Sequence, residues 1–126
     1  MDKLEPPFIA VEGSDVSIYE SLHHMASQFE AFDVGANEFF DARGRLLSAV
    51  TEGYRVVTFV PLPGAPNPER LVAALGRYFK GLSDRDGAYA NAAREALSLD
   101  DLVRLRLELE NRPRPSLFRR VLRRRK

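Results

Sequence analysis

The sequence predicts an α+β protein, an antiparallel sheet of about three to five strands with two to four helices packed on it, folded as a single compact domain. Three observations carry that prediction. β-Branched and aromatic runs cluster in the first half of the chain, whereas stretches with helical apolar spacing and capping residues dominate the second. The length, 126 residues, suits one hydrophobic core. Apolar residues at 44% and charged residues at 29% are the composition of a globular chain rather than a disordered one.

Taken in order, Phe8 to Val11 and Val16 to Tyr19 flank Gly13-Ser14-Asp15 and predict one or two N-terminal strands. Ser21 can cap a helix in which Leu22, Met25, Ala26 and Phe29 fall at i, i+3, i+4 and i+7 on one face, and Gly35 and Asn37 are expected to end that segment. Glu38-Phe39-Phe40 then runs into Asp41-Ala-Arg-Gly44. Asp first and Gly fourth favour a type I turn, and with Arg45 to Val50 continuing as a strand a β-hairpin is expected. A further turn at Thr51-Glu52-Gly53 leads into Tyr54 to Val60, the strongest strand signal in the chain. Apolar residues on both of its alternating faces predict a central strand, covered at least partly on each side.

Pro61, Pro63, Gly64, Pro66 and Pro68 form a loop that cannot enter a sheet interior. Asn67 as cap, with Pro68 in the first helical position, starts a helix from Glu69 to Lys80. Leu71, Val72, Leu75, Tyr78 and Phe79 are its apolar stripe, and Gly81 is expected to stop it. Ala88 to Leu97 is alanine-rich and reads as another helix. Residues 99–110 fit two patterns. Val103, Leu105, Leu107 and Leu109 alternate as in a strand, while Leu99, Leu102, Leu105, Arg106 and Leu109 suit a helix capped by Ser98-Leu-Asp-Asp101, and helix is the preferred reading. Asn111 to Pro115 is expected to break it, dividing the chain into a globular domain at 1–110 and a basic, proline- and arginine-rich tail at 111–126.

The overall charge conceals the same division. Nineteen basic against 18 acidic residues give +1, but residues 1–110 carry 11 basic and 18 acidic groups, a net of −7, and residues 111–126 carry eight basic groups and no acid. Within the tail, Ser116 to Lys126 can form a short amphipathic helix. Leu117, Phe118, Val121 and Leu122 would share one side, with Arg119, Arg120, Arg123, Arg124, Arg125 and Lys126 supplying the charge. Such a segment suits an anionic membrane, a phosphate backbone or an acidic protein surface, the chain's own body included. The N-terminal Met-Asp-Lys-Leu-Glu-Pro-Pro lacks the pattern of a secretory signal, and no window reaches the roughly 20 apolar residues of a membrane span, so a cytoplasmic location is expected.

Catalytic signals are weak. The absence of cysteine excludes disulfide, thiol and zinc-thiolate chemistry. Glu20, His23 and His24 form the best metal-like set, but adjacent residues on a helix point about 100° apart and the chain has no further histidine, so the set reads as a solvated helix start. Asp33, Glu38 and Asp41 lie close in sequence. General acid/base work needs two carboxylates converging in a cleft, whereas Asp41 is accounted for as a turn residue and Asp33 as a helix-end residue. There is no Gly-x-Ser-x-Gly, and Pro61 to Pro68 has one glycine and no lysine, unlike a phosphate loop. Neither a catalytic residue, a metal nor a cofactor is predicted.

The stretch Ile18-Tyr-Glu-Ser-Leu22, followed by Phe32-Asp-Val-Gly-Ala-Asn-Glu-Phe-Phe-Asp-Ala-Arg-Gly-Arg-Leu-Leu47, resembles a group of small actinobacterial proteins. These share a short strand, a helix, an Asp-Val leading to an Asn/Gly-Glu-aromatic step, and an Asp-x-x-Gly-Arg turn. That group is in turn similar to the immunity-type proteins that accompany secreted polymorphic toxins. The resemblance implies a protein-binding module whose acidic body masks a toxin, with Glu20, Glu30, Asp33, Glu38 and Asp41 as the expected partner contacts. The competing expectation is a protein that meets nucleic acid or an anionic membrane through its arginine-rich tail.

Overall fold

Two hairpins built on the same turn chemistry frame the sheet. In the computed structural model, which describes residues 3–85 and 98–111, β1 (Phe8–Glu12) and β2 (Asp15–Tyr19) are joined through Gly13, while β4 (Leu46–Glu52) and β5 (Arg55–Pro61) are joined through Gly53. Both glycines sit at φ 61°, in loops of two residues closed by the Glu12–Asp15 and Glu52–Arg55 pairs. A positive φ at the first central position followed by a negative one is the twist that tight hairpins favour, and only glycine adopts it freely. The short β3 (Glu38–Phe40) lies between β1 and β4, so the order is β2-β1-β3-β4-β5 with all neighbours antiparallel.

Strict alternation along the strands sends apolar side chains to both faces, and helices cover both. Ile9, Val11, Val16, Ile18 and Phe40 pack under α2 (Pro68–Arg85) and α3 (Leu99–Asn111), against Leu71, Ala74, Leu75, Phe79, Leu102 and Val103. On the opposite face Phe8, Ala10, Phe39, Leu47, Val56 and Phe59 pack under α1 (Leu22–Ser27), which supplies Met25 and Ala26, with Phe29 beside them. Fully buried side chains such as Phe40, Phe79 and Ile9 each contribute roughly 1.5–3 kcal/mol by leaving water, so both layers are needed. The α+β class, the antiparallel sheet and the single domain follow the sequence prediction.

Several boundaries differ from it. The first helix is shorter than its apolar spacing predicts: α1 ends at Ser27, Glu30 forms an isolated bridge to Arg55, and Ala31–Ala36 is a 3-10 helix. The chain leaves the helix because the Ala31 N–H donates to the Tyr54 carbonyl (2.9 Å), and the Asp33 carboxylate accepts from the Glu30 N–H (2.9 Å) to start the next turn. Ser21 caps α1 as expected, its Oγ accepting from the His24 N–H at 3.0 Å. Asn67 likewise caps α2, its Oδ1 accepting from the Arg70 N–H at 3.3 Å, but α2 runs through Gly81 to Arg85. Residues 99–110 are helical, not extended, with the Ser98 Oγ accepting from the Asp101 N–H at 3.2 Å. The helix expected at Ala88 to Leu97 and the tail from 112 to 126 lie outside the described residues.

The largest correction concerns β5, which is an edge strand and not a central one. Its apolar residues occupy both alternating positions because of a bulge. Thr51 pairs with Val56 and Val50 with Thr58, leaving Val57 over, so Val56 and Phe59 both reach the core beneath α1 although they are three residues apart. The opposite side of this hairpin is uncovered by described residues, and Val50, Val60 and Leu62 stay exposed.

Candidate functional site

The end of the first helix and the start of β5 enclose a cleft. His23, Ala26 and Ser27 of α1 form one wall, Arg55, Val56 and Val57 of β5 the other, and Phe29 and Glu30 close it, around a volume of about 580 Å³. The register shift that leaves Val57 unpaired and the Glu30–Arg55 bridge lie at this cleft, the bridge tying the chain that leaves α1 to the start of β5. Flanking the cleft are two aromatic side chains that the fold leaves in solvent, Phe32 at 76% exposure and Tyr54 at 83%. Both are held near the Ala31–Tyr54 backbone bond, one on the 3-10 helix and one in the β4–β5 turn.

The five acidic residues expected to meet a partner do not form one surface. Glu30 lines the cleft and Asp33 is bonded to its N–H, so these two belong together beside Phe32. Glu20 lies in a second, smaller cleft of about 280 Å³ between the end of β2 and α3, with Tyr19, His24, Leu107 and Glu110. Glu38 faces α2 and pairs with Arg70, whose guanidinium its hydrogen bond and charge hold further above the usual arginine range. Asp41 cannot contact a partner at all. It is 1% exposed, and its carboxylate accepts from the backbone N–H groups of Glu5 (3.1 Å), Arg43 (2.9 Å) and Arg45 (3.0 Å). An acidic residue that opens a turn can bind that turn's own amides, and the same residue type at the same sequence spacing would look identical if exposed.

His23 and His24 diverge, the first into the α1–β5 cleft and the second into the smaller one, where its ring lies edge-on to Tyr19 at 5.3 Å. No group of three or more His, Asp or Glu side chains among the described residues could hold a metal ion. The basic residues Arg119, Arg120, Arg123, Arg124, Arg125 and Lys126 lie outside the described residues. Phe32, Tyr54, Arg55 and Val57 were not singled out from sequence. Tyr54 had a usable signal, because an aromatic residue in a two-residue turn after glycine has no face of the sheet to bury against. Phe32 had none, since its exposure depends on the early end of α1.

The fold and cleft define an α+β protein with a five-stranded antiparallel sheet, helices on both faces, and an aromatic and acidic patch at one sheet edge. No described helix is long and apolar enough to cross a membrane. Comparison with known proteins finds no matching family model, curated protein or solved structure.

Proposed function

We propose that the chain is a non-catalytic protein-binding module, an immunity-type inhibitor that masks a toxin through an acidic surface. The observation that supports this best is the pairing of exposed aromatics with carboxylates at one place: Phe32 and Tyr54 beside Glu30 and Asp33. Large aromatic side chains left in solvent are costly to a monomer and are the residues that dominate binding energy when a partner desolvates them. The −7 charge of residues 1–110 adds long-range attraction for a basic partner, which raises association rate and sets specificity. The test is co-expression with the product of the gene directly upstream. Copurification together with restored growth supports the reading, and a chain that neither binds nor protects overturns it.

The second reading, contact with nucleic acid or anionic membrane, rests on the eight basic residues of 111–126, which have no acidic residue among them. It predicts steep salt dependence, because each neutralised phosphate releases a counterion. Salt-titrated binding of the full chain and of a chain ending at Asn111 to DNA, RNA and anionic vesicles decides it. If the shorter chain behaves as the full one does, the tail is not the contact.

A further inference from the structure

The basic tail follows directly on a helix end that borders an acidic cleft. That cleft, about 280 Å³, lies between the end of β2 and the last turns of α3. Ile18, Tyr19 and Leu107 give it an apolar lining, Glu20 and Glu110 are its carboxylates, and His24 completes the wall, so neither lysine nor arginine is among the lining residues. Glu20 is exposed and has no hydrogen-bond or ion-pair partner among the described residues. Glu110 accepts from Arg106 through Oε1 at 2.9 Å, yet its side chain stays 46% exposed. Arg106 itself is buried, its guanidinium turned to the Val16 carbonyl (3.0 Å and 3.3 Å) and lying over the Tyr78 ring, and it leaves Glu20 unanswered.

We propose that the chain's own tail occupies this cleft, with the apolar side of Leu117, Phe118, Val121 and Leu122 lying over Ile18, Tyr19 and Leu107 and the neighbouring arginines pairing with Glu20 and Glu110. Two observations point to this occupant. The first is where the described chain stops: α3 ends at Asn111, one residue beyond Glu110, and residues 112–126 follow. Pro113 and Pro115 cannot extend α3, so the chain leaves the helix axis beside the cleft. A segment tethered by so short a linker meets its site at an effective concentration of about millimolar, which fills a contact too weak to hold between separate molecules. The second is charge: eight basic residues without an acid follow a cleft that carries two carboxylates, and arginine engages a carboxylate through two parallel bonds. The inference goes beyond both functional readings and needs neither. A docked tail has part of its charge engaged, so a nucleic acid or an anionic membrane has to displace it from the body first.

The test uses the full chain. It has no cysteine, so Arg125→Cys carries a single nitroxide near the end of the tail. Docking is expected to broaden the amide signals of Tyr19, Glu20 and Leu107 relative to the reduced label, and to leave those of Val50 and Val60, exposed on the β4–β5 hairpin, unchanged. Glu20→Lys, at an exposed side chain, and Phe118→Asp, in the tail itself, are each expected to restore most of the lost intensity, and added salt to restore part of it by screening the ion pairs. Absent broadening overturns the proposal. Broadening equally strong in either variant does so too, because a tail that is only tethered would produce it. Broadening centred on Val50 and Val60 would seat the tail elsewhere, and broadening of an isotope-labelled chain by a separate spin-labelled one would assign the contact to a second copy. Either result replaces the proposed arrangement.

Discussion

Asp41 holds three segments of backbone with one carboxylate. Oδ1 accepts from Arg43 and Arg45, which shapes the turn into β4, and Oδ2 accepts from Glu5, which ties the N-terminal segment to it. Asp41→Ala leaves these donors without their acceptor and is expected to lower stability by about 2–4 kcal/mol, read as a lower urea midpoint at unchanged m-value. Asp41→Asn is expected to cost less, because the amide oxygen can serve Arg43 and Arg45 while its NH2 meets the Glu5 N–H, donor against donor. Gly44 closes the same turn at φ 89°, and a Cβ there would stand 2.6 Å from the Pro68 Cα at the start of α2. Backbone cannot yield as a side-chain tip can, so Gly44→Ala is expected to lose about 2–3 kcal/mol and to loosen the packing of α2, visible as a lower melting temperature. The turn at Asp41–Gly44 was legible in the sequence. The burial of Asp41 was not, because it depends on Glu5, far away in the chain.

Among the elements, α3 has a task beyond filling the core. Its Arg106 reaches the outer edge of β2, lies over the Tyr78 ring (5.1 Å from guanidinium carbon to centroid) and pairs with Glu110 at 2.9 Å. Arg106→Leu keeps an apolar stem but uncovers the Val16 carbonyl, with an expected loss of about 1–3 kcal/mol and a concentration-dependent association through the exposed edge. Equilibrium sedimentation alongside thermal melting would check both, and a variant as stable and as monomeric as the parent would show that the guanidinium does not guard the edge. Arg106→Lys is expected to recover only part of the loss, since an ammonium neither forks nor stacks. That α3 is a helix was the preferred of two sequence readings, and Ser98 with Leu102 and Arg106 decides why: one helical face places Leu102 in the core and Arg106 on the strand edge. The strand pattern of Tyr54 to Val60 predicts a central strand, and β5 lies at the edge. Pro61, which cannot donate to a neighbouring strand, marks the edge, whereas the hydrophobicity of Val56, Val57, Phe59 and Val60 imitates a strand covered on both faces because the bulge sets Val56 and Phe59 on one side.

For the whole molecule, the charge division bears on association more than on folding. If the acidic body steers a basic partner, the association rate should fall steeply with ionic strength while the dissociation rate changes little, measurable by stopped-flow or surface-based kinetics. Tyr54→Ala and Phe32→Ala should leave the melting temperature nearly unchanged, because both side chains are already in solvent, yet weaken binding by about 2 kcal/mol or more each if they are the anchors. Binding that survives the double variant would move the contact elsewhere on the surface. The sequence by itself determined the α+β class, the turn at Asp41–Gly44, the caps at Ser21, Asn67 and Ser98, and the split between acidic body and basic tail. These depend on residues within a few positions of one another, where propensity, glycine placement and periodicity act directly. Only the tertiary structure decided that Asp41 is buried, that Glu38 faces Arg70, that β5 is an edge strand, and that the segments carrying Phe32 and Tyr54 meet beside the cleft that Glu30 lines. Each of these follows from which segments lie side by side, and a bulge at one residue or a helix ending a turn early changes that while leaving the local pattern of the sequence the same.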